Sequence, residues 1–158
     1  MKSVFYWSPF LTNVATISAV IESAVSLKRY SKNFEPFIID VCGEFHSHKE
    51  EIKKKNIEII NLISFKYFHL LPKTGYLNSR ISFILIFLTS FFPLIFLLHK
   101  RKPDYFISHL ITSLPILIGY IFKFKTKFIL RISGLPRLNF LRKSFWRIFG
   151  EKIDIITT

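Results

Sequence analysis

Cysteine, glycine and acidic residues are all scarce in this chain. Its 158 residues hold one cysteine, five glycines and ten Asp plus Glu. The single thiol, Cys42, excludes an intrachain disulfide and a cysteine-based zinc site, and its place at the end of an apolar run makes it a small packing residue. The glycines never fall into G-x-G-x-x-G, G-x-x-x-x-G-K-[ST] or G-x-S-x-G, and neither H-E-x-x-H nor C-x-x-C occurs. The chain therefore carries no dinucleotide fingerprint, P-loop, serine-hydrolase elbow or zincin helix.

Against these ten acids stand 23 Lys plus Arg, a formal charge of +13. Such a balance favours polyanions: nucleic acid, anionic lipid or phosphorylated substrates. A composition rich in Lys, Ile, Phe and Asn accounts for part of the excess, and for less of the cluster from Arg131 to Arg147. Nucleic acid is disfavoured, because the aromatics lie in apolar runs rather than along a basic stripe where bases would stack. Half the residues are apolar and Phe alone occurs 19 times, enough for a sizeable core. Lys2 and the apolar residues after it hint at a signal peptide, but Ser8, Pro9, Thr12 and Asn13 interrupt the apolar core such a peptide needs.

What is present alternates. Strands are expected at Val4–Trp7, Pro36–Val41, Ile57–Ile60, Tyr105–Ser108, Lys127–Ile132 and Ile153–Ile156. Helical segments lie between them: Ile17, Val20, Ile21 and Ala24 at helical spacing behind a cap at Asn13, and a short charged helix in HSHKEEIKKKN. A third starts at Ser113 with Pro115 in its first turn, and a fourth runs from Phe140 to Phe149 and stops at Gly150. The alternation predicts an α/β, Rossmann-like three-layer domain with a mostly parallel sheet of about six strands. Residues Leu62 to Asn78 read as an irregular loop.

The segment Ile81 to Leu98 is uncharged and flanked by Arg80 and by Lys100, Arg101 and Lys102. It reaches the lower length limit of a membrane span. Three readings stand open: a crossover helix buried on the sheet, an interfacial helix with its basic flanks on anionic lipid, or a true span.

Ligands of open α/β sheets bind beyond the carboxyl ends of the strands. His109 falls where the fourth strand ends, either as a structural histidine bonded to backbone or as a general base or partner of a sugar hydroxyl. Thr112 and Ser113 follow it. Arg131, Ser133 and Gly134 end the fifth strand. Arg131 can grip a carboxylate or phosphate with two parallel bonds, or pair with a loop acid, while Gly134 admits close backbone approach. Arg137, Arg142, Lys143 and Arg147 read as a solvated or lipid-facing basic face, with Trp146 an interfacial anchor or a core residue. His46, His48 and Glu44 read as solvent-facing, and no metal site is expected.

The segment PDYFISHLITSLPILIGYIFKFKTKFILRISGLPRLNFLRKSFWR, followed by DIITT, resembles the N-terminal half of GT-B glycosyltransferases of the family 4 type (the group 1 superfamily). These are retaining enzymes that build bacterial surface polysaccharides and lipid-linked sugars. Their S/H-H-L loop corresponds to Ser108-His109-Leu110, and their Gly-containing loop after the fifth strand to Arg131 through Pro136. Many members carry a Gly-Gly pair after the first strand, where this chain has SPFLTNVATIS and Asn13 is the polar candidate. The resemblance implies one incomplete acceptor-binding domain over residues 1–158, lacking the C-terminal donor-binding domain and inactive by itself. It implies a catalytic role for His109 and substrate binding by Asn13, Arg131, Ser133 and Gly134. No cofactor or metal is implied. The partners would be a nucleotide sugar, a glycan or lipid-linked acceptor and an anionic membrane surface, in the cytoplasm at the inner face of the membrane. The alternative is a small integral or peripheral membrane protein without catalytic activity, with residues 81–98 as its membrane segment.

Overall fold

A computed structural model describes residues 1–12, 15–73, 75–109, 113–132 and 140–157. Six strands, β1 (Lys2–Trp7), β2 (Phe34–Asp40), β3 (Glu58–Asn61), β4 (Tyr105–Ser108), β5 (Lys127–Arg131) and β6 (Ile153–Thr157), join one sheet. Their order is β3-β2-β1-β4-β5-β6. Every neighbouring pair is parallel, so the sheet is wholly rather than mostly so. The helices are α1 (Ala15–Tyr30), α2 (Lys49–Lys54), α3 (Tyr76–Arg101), α4 (Ser113–Phe122) and α5 (Phe140–Phe149). Each returns the chain to the amino edge of the sheet, as a parallel crossover requires.

Alternate residues of the central strands feed opposite faces, as the two-residue period of a strand dictates. Val4 and Tyr6 pack with Ile17, Val20, Ile21 and Ala24 of α1 and Ile52 of α2. Phe5 and Trp7 pack on the other side with Ile86, Leu94 and Leu98 of α3 and Leu114, Ile116 and Ile118 of α4. Trp146 and Phe149 of α5 lean on that second cluster, so Trp146 belongs to the core side. Gly119 lets α4 sit close to β5: a Cβ there would lie 2.7 Å from Phe128.

Helix α3 resolves the ambiguity of the uncharged segment in an unexpected way. It begins five residues before Ile81 and bridges β3 to β4, as a crossover helix should. Ser82, Ile86, Ser90, Leu94 and Leu98 face the sheet and are fully buried. Yet Leu77, Ile81, Ile84, Leu88, Phe92 and Phe96 recur every three or four residues on the open side, with Leu77 72% and Phe92 76% exposed. By length and hydropathy the helix is able to cross a membrane. It is therefore docked on the sheet by one face and uncovered, still apolar, on the other.

Candidate functional site at the carboxyl edge of the sheet

The strand order reverses between β1 and β4, so the helices following them lie on opposite faces and a crevice opens beyond their carboxyl ends. His109 sits on that crevice. Its N–H donates to the Trp7 carbonyl at 2.9 Å, continuing the β1–β4 ladder by one residue. Its ring stacks on Tyr6, with centroids 6.1 Å apart. Burial, and after it the Arg131 guanidinium, push the imidazole down to about 4. At neutral pH the ring is uncharged, a hydrogen-bonding group rather than a strong base.

Three buried polar atoms around this point have no partner among the described residues: Ser8 Oγ, Ser108 Oγ and His109 Nε2. Orphaned buried groups are rare in folded proteins because each costs free energy to desolvate. Here they bracket the switch point. Ser8 follows β1, and Ser108 shares register with Trp7 on the α3 and α4 side. Tyr6, stacked on the ring, lies on the α1 side. Tyr6 is itself raised by burial and bonded to Ser23 at 3.2 Å.

A second polar cluster lies at the same edge, beyond β2 and β3, and there every group is satisfied. The two Glu44 carboxyl oxygens accept the N–H groups of Val41 at 2.9 Å and Cys42 at 2.7 Å. Asp40 accepts from the Gly43 N–H at 2.9 Å and from Lys66 Nζ at 2.7 Å. Lys66 also donates to Asn61 Oδ1 at 2.6 Å. Burial, and then Asp40, raise Glu44 to about 8. Burial alone would raise Asp40 as well, but hydrogen bonds from Glu44, Lys66 and the Phe45 N–H outweigh it and hold Asp40 below the usual carboxylate range. The pair thus shares one proton, kept by Glu44. Glu44 is 1% exposed, which corrects the expectation that it faces solvent. A carboxylate that finds two backbone donors in its own loop is held inside by them.

The clasp has a mechanical consequence. It fixes Phe45, whose ring meets Phe10 at 5.1 Å, and Phe10 in turn meets Phe68 at 6.0 Å. The loop after β1 that carries Ser8 is anchored by this aromatic group. Burial and the Glu44 carboxyl raise the Cys42 thiol, which stays a neutral packing residue.

Of the expected site residues, His109 and Arg131 come together at the crevice, with Arg131 half-buried. Asn13, Ser133 and Gly134, with Thr112 and Arg137, lie outside the described residues. Arg142, Lys143 and Arg147 are exposed on α5. His46 is exposed and His48 partly so, in a 3-10 turn, and no metal-binding cluster occurs among the described residues. Sequence reasoning named Ser108 only as part of the S/H-H-L loop and passed over Ser8 as a site residue. The signal was a polar residue closing an otherwise apolar buried strand, but only strand order makes them neighbours.

No family model and no curated protein matches the chain. Solved structures do. The glycosyltransferase SsfS6 of Streptomyces sp. SF2575 aligns with a TM-score of 0.60 at 8% identity, over 96% of this chain and 45% of that one. A glycosyltransferase of Rickettsia africae ESF-5 aligns at 0.58 and 17% identity, over 92% and 33%. The spinosyn rhamnosyltransferase SpnG, solved with spinosyn aglycone, aligns at 0.59 and 9% identity, over 99% and 44%. The chain thus has the Rossmann-like half-domain fold of GT-B glycosyltransferases, and spans less than half the length of these neighbours.

Proposed function

We propose that this chain is the acceptor-side domain of a glycosyltransferase of the family 4 type that moves a sugar from a nucleotide-sugar donor to a membrane-associated glycan or lipid-linked acceptor. The observation that carries this reading is the set of orphaned buried groups at the switch point, His109 Nε2 with Ser8 Oγ and Ser108 Oγ, on a GT-B half-domain fold. An acceptor hydroxyl would supply the missing partners. His109, held neutral, orients that hydroxyl rather than taking its proton, and Arg131 meets a phosphate or carboxylate of the bound substrate. By the family resemblance, Asn13, Ser133 and Gly134 would bind substrate as well. In this reading the domain works at the cytoplasmic face of a membrane, in surface-polysaccharide assembly, and the uncovered apolar face of α3 supports the membrane contact. Such transfer rests on positioning and charge stabilisation, and calls for no metal or cofactor on this domain.

Titration of the labelled His109 ring with polyprenyl-phosphate-linked sugars in micelles tests the reading. Saturable shifts weakened in Ser8→Ala with Ser108→Ala are expected, and this chain alone should hydrolyse or transfer no nucleotide sugar. Turnover by the chain alone would overturn the half-enzyme reading. Binding of a nucleotide sugar at His109 with no response to any glycan would make the domain donor-side. The length and apolarity of α3 favour a second reading, a catalytically silent membrane protein. Retention in membranes through carbonate extraction would support that one.

A further inference from the structure

A cavity lies at the opposite, amino edge of the sheet, far from the crevice. About 640 Å³ in volume, it opens between the carboxyl ends of α3 and α4 and the starts of β1, β4 and β5. Five lysines line it: Lys2, Lys102, Lys123, Lys125 and Lys127. None of the five pairs with a carboxylate among the described residues. The one acidic residue in the wall, Asp104, is engaged by the N–H and hydroxyl of Ser3. Two helix carboxyl termini point there, each worth about half a negative charge, so with Asp104 they still leave a surplus of roughly three positive charges. Lys102 and Lys123 end their helices at φ 45 and 48, left-handed positions where glycine or asparagine would be less strained.

The apolar stripe of α3 leads into this cavity. Three residues after Phe96 the same face presents His99, which lines the wall beside Leu98. Across the opening stands Phe122, 46% exposed on α4. An apolar stripe about 30 Å long that ends in a cationic cup matches one occupant, a bilayer carrying anionic headgroups. We propose that the lysine cavity holds the phosphate of an anionic phospholipid while α3 lies along the bilayer. This rests on the membrane reading given above and extends it. The lipid in the cup is a docking lipid, not the acceptor, because it sits at the edge opposite His109.

Co-sedimentation of the whole chain with vesicles tests the proposal. Wild type should bind phosphatidylcholine vesicles weakly and phosphatidylcholine–phosphatidylglycerol vesicles strongly. The combined variant Lys123→Asn, Lys125→Gln, Lys127→Gln should weaken binding to the mixed vesicles by about ten-fold or more and leave neutral vesicles unaffected. A control on the other layer, Lys49→Gln, Lys53→Gln, Lys54→Gln, should bind like wild type. If the control loses as much as the cavity variant, binding reflects overall charge and the cavity assignment fails. If the cavity variant binds mixed vesicles normally, the assignment fails while the membrane reading survives. Leu88→Ser with Phe92→Ser separates the two, since it should weaken binding to both vesicle types. Failure of wild type to bind any vesicle removes the membrane reading and this proposal together. Tight binding of inorganic pyrophosphate, lost in the cavity variant, without vesicle binding would assign the cup to a soluble phosphate instead.

Discussion

Two polar clusters share the carboxyl edge of one sheet and are built on opposite plans. Beyond β2 and β3, Asp40, Glu44, Lys66 and Asn61 satisfy one another and four backbone N–H groups of their own loop. Beyond β1 and β4, Ser8, Ser108 and His109 are just as buried and leave polar atoms unpaired. A satisfied network closes on itself and rigidifies its loop, whereas unsatisfied groups are poised for a partner from outside. Ser90 Oγ on the sheet-facing side of α3 is orphaned too, so it is the grouping of three such atoms at the switch point that supports the proposed site.

The comparison breaks most sharply at Glu44. Glu44→Ala strands the N–H groups of Val41 and Cys42 and strips Asp40 of its proton donor, and should cost about 3–5 kcal/mol in urea unfolding. A loss near that expected for an exposed residue would show that the clasp is not structural. The next effect is in pH. His109 is depressed from 6.5 to about 4, so the stability it contributes is complete above 6.5 and lost as pH falls toward 4. His109→Leu should therefore be roughly 3 kcal/mol more stable than the parent near pH 4 and nearly unchanged at pH 7. Glu44 runs the other way. Raised from 4.5 to about 8, it contributes fully below 4.5 and progressively less as pH rises to 8, a decline that Glu44→Gln should flatten. Unfolding midpoints measured across this range check both signs.

Smaller effects sharpen the contrast. Gly43 has φ 102, and a Cβ there would lie 3.1 Å from the Lys66 stem, so Gly43→Ala should cost about 1–2 kcal/mol. Ser8→Ala and Ser108→Ala remove hydroxyls that have no partner, and should leave stability unchanged or raise it by up to about 1 kcal/mol while weakening acceptor binding. A stability loss in either serine variant would mean that the hydroxyl is already satisfied in the free protein.

Much of this was legible in the chain. Apolar runs bounded by polar breaks located all six strands to within a residue or two; burial on both faces explains the runs of the central strands, while β6 keeps the pattern with Ile155 and Ile156 exposed. The positions of His109 and Arg131 at the carboxyl ends of β4 and β5 were legible because they close those apolar runs. Glu44 was misread, since its environment comes from backbone donors of its own loop rather than from sequence neighbours of opposite charge. The uncharged segment was ambiguous because composition does not tell a helix with one uncovered side from one buried on all sides.

The sequence by itself determined the alternation of strands and helices, the positive excess and the absence of nucleotide-loop and zinc motifs, all of which follow from local period and residue type. The tertiary structure alone decided which strand ends became neighbours. The order β3-β2-β1-β4-β5-β6 places residues a hundred positions apart, Ser8 and His109, on one crevice, and gathers five lysines from three distant stretches of chain around one cavity. Adjacency of that kind is set by pairing and packing between distant segments, where each local pattern is compatible with several strand orders.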